Sequence, residues 1–460
     1  MQAPFDIAAD LDTPVSAYLK LGALRPRFLL ESVEGGERLA RYSFLGFGDA
    51  LEVRMDGEGF RVNGEQRPRP VTQAEYLDVL RAVLAMAPRP QPDDDLPFAG
   101  GLVGVSGYDV VRLFEKLPRD TAPQTQVPDA AFVAPASLLV FDHLTRRVAL
   151  LHDGPEAERQ ALRRDVIRLL RGAVPAAVGE VAIGPATASL SESEYAERVN
   201  ACKEYIASGD IYQIVLSVLF RGRSDVAPFE VYRALRLLNP SPYMFYFDFG
   251  DLRVVGSSPE ALVRLHDRNA SLRPIAGTLP RGATPDEDLA NEQRLLADPK
   301  EAAEHVMLVD LARNDLGRVA QAGSVRVDPY RAIERYSHVM HIVSGVQGEL
   351  ADGYDQFDLF AASFPAGTLV GAPKVRAMQI IEEMEAVGRG LYAGTAGYFG
   401  LRGDMDQAIT IRTLVFTGDE YSFQAGAGIV ADSVPAREYQ EVLAKSAILR
   451  RALEIAGEGL

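Results

Sequence analysis

An α+β fold in two blocks is what this sequence predicts, on three observations. Short apolar runs interleave with segments of helical spacing along the whole chain, 460 residues exceed what one hydrophobic core sustains, and one long stretch of linker character divides them. That stretch is AVPAAVGEVAIGPATASL, from Ala173 to Leu190, small and rich in Pro and Gly, so the expected organisation is 1–172, a linker over 173–190, and 191–460.

The elements follow in order. In the first block Leu51–Val53 and Ser137–Phe141 read as strands, and PEAERQALRRDVIRLLRG places apolar residues at helical spacing. The second block opens with a capping box, Ser191 three before Glu194, on a helix that runs toward Gly209 as a left-handed stop. IYQIVLSVLF, Ile211 to Phe220, is strand-like. Further strands are expected near Met244–Phe249, Leu252–Gly256, Ala393–Tyr398, Ala408–Phe416 and Ser422–Ala425, and helices near Glu287–Arg313, Lys374–Glu385 and Pro435–Ala456. No internal repeat is visible.

Composition narrows the functional classes. With 64 acidic against 48 basic residues the formal charge is −16, which leaves no excess positive field for a phosphate backbone or an anionic lipid surface. Cys202 is the sole cysteine, so neither an internal disulfide nor a multi-thiolate metal site can form. The start MQAPFDIAADLDTP lacks the basic-then-apolar order of a signal peptide, and no uncharged apolar run nears the roughly 20 residues of a membrane span. A reducing cytoplasm is the expected location. Tryptophan is absent.

Two carboxylate pairs stand out. Glu301 and Glu304 lie at i and i+3 in DPKEAAEHVMLVDLARNDLG, and Glu438 and Glu441 repeat the spacing in SVPAREYQEVLAKSAILRRA, so each pair shares a helix face. A solvated helix face explains either pair alone. If the two helices face each other, the four groups pool oxygen ligands for Mg²⁺, a hard cation that takes one or two protein carboxylates and keeps waters. Lys445, one turn past Glu441, reads equally as a surface partner.

Seven strings then occur together: PIAGTLPRG (Pro274–Gly282), EHVMLVDLARNDLGRV (Glu304–Val319), YSHVMHIVSGVQGEL (Tyr336–Leu350), FPAGTLVGAPKVRAMQIIEE (Phe364–Glu383), GYFG (Gly397–Gly400), AITIRT (Ala408–Thr413) and QAGAGIVADSVPAREYQE (Gln424–Glu441). In this order they resemble the chorismate-binding family, which includes anthranilate, aminodeoxychorismate, isochorismate and salicylate synthases. FLLESVEGGERLARYSFLG (Phe28–Gly46) and FAGGLVGVSGYDVVRLFEKLP (Phe98–Pro118) look like the amino-terminal part of anthranilate synthase large subunits. The resemblance thus covers essentially the whole chain. It implies two interleaved subdomains with large antiparallel sheets in a sandwich-like core, helices outside and between, and a magnesium-dependent lyase that takes chorismate and ammonia to anthranilate and pyruvate.

Site roles come with the resemblance. Glu304 and Glu441 match the Mg²⁺ ligands, with Glu301 and Glu438 in support. Gly426, Ala427 and Gly428 of QAGAG match a turn whose backbone N–H groups meet a substrate carboxylate; alone it reads as an ordinary turn. Arg412 and Tyr392 match contacts to the enolpyruvyl carboxylate, and Gly277 and Thr278 a further substrate contact, or else a strand-end turn. Glu260 of GSSPEALVRL matches the general acid, and otherwise reads as a helix-start carboxylate. His341 matches a catalytic-site histidine with Thr368 beside it, whereas His338 matches nothing functional. Gln213 stands where water-adding relatives carry a lysine base, and Ala276 where aminodeoxychorismate synthases carry a lysine nucleophile, so both argue for the ammonia-adding, anthranilate-forming branch. Val370 departs from the family's usual serine.

LLESVE (Leu29–Glu34) and NPSPYMFYF (Asn239–Phe247) resemble two halves of a tryptophan feedback site, with Ser32, Pro242, Tyr243 and Met244 at inhibitor positions; core strand and turn is the alternative. Cys202 sits in a helix pattern without a nucleophile elbow, so a separate glutaminase subunit, or solution, must supply ammonia. Two other functions stay open: an aminodeoxychorismate synthase component, and a catalytically dead tryptophan sensor.

Overall fold

The computed structural model describes residues 5–33, 41–91, 96–124, 126–176, 179, 181–336 and 339–460. Glu34 and His338 fall outside them. Among the described residues most strands join one 21-stranded hydrogen-bonded sheet, and three more form a separate sheet. The elements that position the site are strands β1 (Pro26–Glu31), β2 (Tyr42–Asp56), β3 (Gly101–Ser106) and β4 (Ala130–Asp142), then helix α1 (Glu192–Ala207) and strand β5 (Gln213–Arg223). Strands β6 (Tyr243–Asp248), β7 (Leu252–Ser258), β8 (Ala261–His266) and β9 (Ile275–Pro280) precede helices α2 (Pro285–Ala297) and α3 (Pro299–Gly317). After β10 (Val339–Val343) and α4 (Lys374–Met384) come β11 (Thr395–Gly400), β12 (Met405–Ile409), β13 (Thr413–Thr417), β14 (Glu420–Ile429) and the closing helix α5 (Pro435–Glu458).

Side-chain alternation gives the large sheet two apolar faces. Leu29, Leu45 and Phe47 join the main core, while their neighbours Phe28 and Phe44 join a second apolar layer on the opposite face. The two blocks interleave in this sheet: β1 pairs antiparallel with β6, Met244 opposite Glu31, and β3 pairs antiparallel with β11. Within 173–190, Thr187–Ala188 pairs antiparallel with β5.

The expected capping box forms, with the Ser191 hydroxyl accepting from Glu194 N and the Glu194 carboxylate accepting from Ser191 N, and Gly209 takes φ +83°. Four expectations need correction. The helix expected over Glu287–Arg313 is two, because Asp298 caps the amides of Lys300 and Glu301 and Pro299 takes the first helical position. The strand expected over Ala408–Phe416 is split into β12 and β13 at Thr410–Arg412, where Arg412 has φ +49°. Gln424–Gly428 is no turn but the interior of β14, paired with β5 through Ile214↔Ile429 to Arg223↔Glu420. Glu260 starts no helix; it lies between β7 and β8, where its carbonyl accepts from Ile409 N.

Candidate active site

A cavity of about 500 Å³ opens between α3, α5 and the β5–β14 ribbon. The register explains its floor: Val215 faces Gly428 and Ser217 faces Gly426 on one surface of the ribbon. A Cβ on Gly426 would come within 2.7 Å of both the Leu216 carbonyl and the Tyr392 hydroxyl, and one on Gly428 within 3.1 Å of Gln213 Nε2. Glycine at both places lets those side chains lie against the strand. β13 pairs with β14 only as far as Leu414↔Phe423, so beyond Gln424 β14 has lost its second partner strand and its backbone is open on that side. Ala427 points its methyl into the core instead.

Glu260, Thr368, Tyr392 and Arg412 line the same cavity. Thr368 Oγ1 donates to Glu260 Oε1 at 3.0 Å. Glu260 is partly buried, and besides the large cavity it lines a smaller hollow against Leu308, Leu311 and Ala366. Burial raises its pKa to about 7, against the lowering pull of Thr368, Lys445 and Arg412. It can therefore hold and give a proton near neutrality. Burial also keeps the Tyr392 phenol protonated, beneath the Arg389 guanidinium at 5.5 Å from its ring.

His341, Gly277 and Thr278 form a neighbouring group on the three-stranded sheet. Thr278 pairs with His341 across β9 and β10, and Gly277 forms a bulge at φ +68°. The Gly277 carbonyl, 3.0 Å from His341 Nδ1, can only accept, so Nδ1 carries the proton and Nε2 the lone pair. Burial lowers this imidazole's pKa, favouring the neutral form. Thr368 sits beside Glu260, while His341 is carried by the three-stranded sheet.

From the helices, Glu304, Glu438 and Glu441 line the cavity, while the Glu301 carboxylate rests against Gly277. Burial first, and then the charges of Glu301 and Glu441, raise the Glu304 pKa. Carboxylates from two helices that crowd one another in one hollow are a donor set suited in kind to a hard divalent cation. Among the described residues the one tight group of three or more ligand-type side chains lies elsewhere, at His266, Asp267 and Asp404, where the turns of two neighbouring hairpins meet. The glutamates are thus gathered without being closed into a cage.

Sequence reasoning missed several polar groups of the cavity. Lys445 bonds to Glu441 at 2.7 Å, as a surface pair would, but also donates to the Gly426 carbonyl at 3.0 Å from inside the hollow. Lys300, Arg437 and Gln424 line it too. Their positions in ExxE neighbourhoods and in QAGAG were the only signal. Val370 is fully buried. At the expected feedback site, β1 and β6 bring Ser32 and Pro242–Met244 together, and Val33 N donates to the Ser241 carbonyl.

A family model described as chorismate binding enzyme matches residues 25–451. The chain is 47% identical to a Thermus thermophilus protein and 46% identical to a Cereibacter sphaeroides protein, each named anthranilate synthase component 1. In both comparisons 98% of this chain is covered, with 97% and 94% of the relative. Among solved structures, anthranilate synthase component I from Streptococcus pneumoniae superposes with a TM-score of 0.80 at 34% identity, over 98% of this chain and 100% of that one.

Proposed function

The chain belongs to the chorismate binding enzyme family, and from that premise we propose that it is the chorismate-converting component of an anthranilate synthase, forming anthranilate and pyruvate from chorismate and ammonia. The observation that carries this reading is a carboxyl held protonated near neutrality, Glu260, in one hollow with Arg412, Tyr392 and the open edge of β14.

Chorismate is a dicarboxylate bearing a ring hydroxyl and an enolpyruvyl ether. Arg412 and the β14 backbone suit one carboxylate, with Tyr392 as hydroxyl donor. Mg²⁺, held by Glu304 and Glu441 with Glu301 and Glu438 in support, would supply positive charge to the ring carboxylate, which protein carboxylates alone would repel. Ammonia adds at ring C2 as the C4 hydroxyl departs, taking the Glu260 proton to leave as water. Loss of the C2 proton and of pyruvate then makes the ring aromatic. The neutral His341 lone pair is a base suited to that second half.

Gln213 on the cavity wall offers no amine to activate water, and Ala276 offers none to attack C2. This reading takes ammonia from a glutaminase partner, since the one thiol, Cys202, is buried and its pKa is pushed up to about 12. It divides the chain into 1–172, a 173–190 linker and the catalytic 191–460, assigns tryptophan as inhibitor at Ser32, Pro242, Tyr243 and Met244, and places the protein in the cytoplasm. No described helix is long and apolar enough to cross a membrane. The test is product identification by mass from chorismate, ammonium and Mg²⁺ at alkaline pH. Anthranilate with pyruvate is expected; aminodeoxychorismate or isochorismate as main product would overturn the assignment, and no turnover with retained tryptophan binding would favour a sensor.

A further inference from the structure

Each of the two helices that wall the large cavity presents it with a stripe of side chains at four-residue spacing. From α3 these are Lys300, Glu304 and Leu308, and from α5 they are Arg437, Glu441 and Lys445. Leu308 is buried, whereas Lys300 and Arg437 are exposed. The stripes therefore run from the mouth of the cavity inward, and a cation heads each one.

These two cations stand against the forces that usually place a base on a helix. Each occupies the first turn, where the macrodipole disfavours positive charge. Each lies four residues before a glutamate, the weaker order for a pair at that spacing, and neither closes one; Glu441 is bonded instead by Lys445, one turn later, at 2.7 Å. Among the described residues neither Lys300 nor Arg437 has a side-chain hydrogen bond or ion pair. Local structure thus gives no reason for positive charge at either place. The cavity does: a dianion approaching a chain of formal charge −16 is repelled at long range, and repelled again by the glutamates inside the hollow. Two exposed cations at the mouth reverse the sign of the field there, over about one Debye length, ~10 Å at 0.1 M salt.

We propose that Lys300 and Arg437 are a capture pair for the dicarboxylate substrate, drawing it to the mouth of the cavity and passing it inward to Arg412 and the β14 backbone, without a part in the chemistry. The proposal rests on the chorismate-using reading above. It separates finding the substrate from transforming it, so the pair should act on chorismate affinity in a salt-dependent way and leave kcat alone.

The experiment compares the wild-type chain with Lys300→Gln, Arg437→Gln, the two combined, and a charge-keeping double variant, Lys300→Arg with Arg437→Lys. Chorismate binding is measured by calorimetry with saturating Mg²⁺ and no nitrogen source, at ionic strengths from about 50 mM to about 500 mM; kcat is measured separately with ammonium. At low salt the neutral double variant is expected to raise Kd for chorismate about tenfold and each neutral single variant about threefold, with kcat within about twofold of wild type. At high salt those ratios should shrink toward one. The charge-keeping variant should follow wild type throughout. Thermal melts of the neutral variants should match or exceed wild type, since each loses a cation from the disfavoured end of a helix. An unchanged Kd in the neutral double variant overturns the capture role and leaves the activity standing; tighter Mg²⁺ binding alongside it would make the two cations a counterweight to the glutamates. A rise in Kd that salt does not reduce, or a charge-keeping variant that behaves as the neutral one, overturns it as well. A wild-type chain that neither binds nor consumes chorismate overturns the functional reading and the capture pair with it.

Discussion

Glu260, the proposed general acid, is the one carboxyl of the site whose burial pushes its pKa up to about 7. Because burial raises its pKa from 4.5 to about 7, the folded state binds a proton that the unfolded state has released between those values. Stability therefore falls as pH rises through about 7, by at most about 3 kcal/mol, and less where the cavity admits solvent. Glu260→Gln cannot ionise and should lose that dependence, so thermal melts of the two proteins should diverge progressively from pH 5 to pH 8, the variant being the more stable. Turnover should move the other way. The variant is expected to lose about 10²–10⁴-fold in kcat as general-acid catalysis disappears, and wild-type kcat at saturating ammonia should decline as pH rises above about 7. A flat wild-type profile across that range would remove Glu260 from the acid role. Gly426 tests the neighbouring floor: in Gly426→Ala the new methyl meets the Leu216 carbonyl and the Tyr392 hydroxyl at 2.7 Å, so it should raise KM for chorismate and cost about 1–3 kcal/mol by overpacking, read by steady-state kinetics and urea unfolding.

Single elements were legible in proportion to how local their causes are. The capping box at Ser191, the left-handed Gly209, α4 and α5 follow from nearest-neighbour chemistry and emerge within a residue or two of expectation. QAGAG did not, because glycines at alternate positions signal a turn unless one knows that Tyr392 and Gln213, far away in sequence, lie across them. Arg412 hid a break between two strands for the same reason: its left-handed backbone is held by surrounding structure, with Ser257 N donating to its carbonyl. The glutamate pairs lie between these cases. Their shared helix faces were readable, but only the packing of α3 and α5 around one hollow shows that Glu304 and Glu441 affect each other. The corresponding prediction belongs to the two helices together. Glu304→Gln and Glu441→Gln should each weaken Mg²⁺ binding at least about tenfold by calorimetry, with the circular dichroism spectrum unchanged. Binding at wild-type strength in either variant would show that these helices do not share a cation.

At the scale of the whole molecule, the interleaving of the two blocks makes regulation across them mechanically plausible. β1 from the first block lies against β6 from the second, so Ser32 and Pro242–Met244 come together although more than 200 residues separate them. From there a covalent and hydrogen-bonded connection reaches the backbone of Glu260, the proposed general acid. The Tyr243 hydroxyl donates to Asp406 at 2.9 Å and accepts from Arg264 at 2.6 Å; Asp406 lies on β12, and the last residue of β12, Ile409, donates its N–H to the Glu260 carbonyl at 3.0 Å. A ligand that contacts Tyr243 differently in two states of the protein would thus bias the strand from which Glu260 is suspended. The prediction is a reciprocal one. Tryptophan should weaken chorismate binding, and chorismate with Mg²⁺ should weaken tryptophan binding by the same factor. The chain has no tryptophan of its own, so an added tryptophan is the sole indole in the sample, and its anisotropy reports binding directly. Titration of protein into a low fixed concentration of tryptophan should raise the anisotropy. Ser32→Ala or Met244→Ala should reduce that rise while sparing uninhibited turnover, because neither side chain lines the catalytic cavity. Displacement of tryptophan by chorismate at a single shared site, or no binding up to millimolar tryptophan, would leave β1 and β6 as a structural seam between the blocks and nothing more.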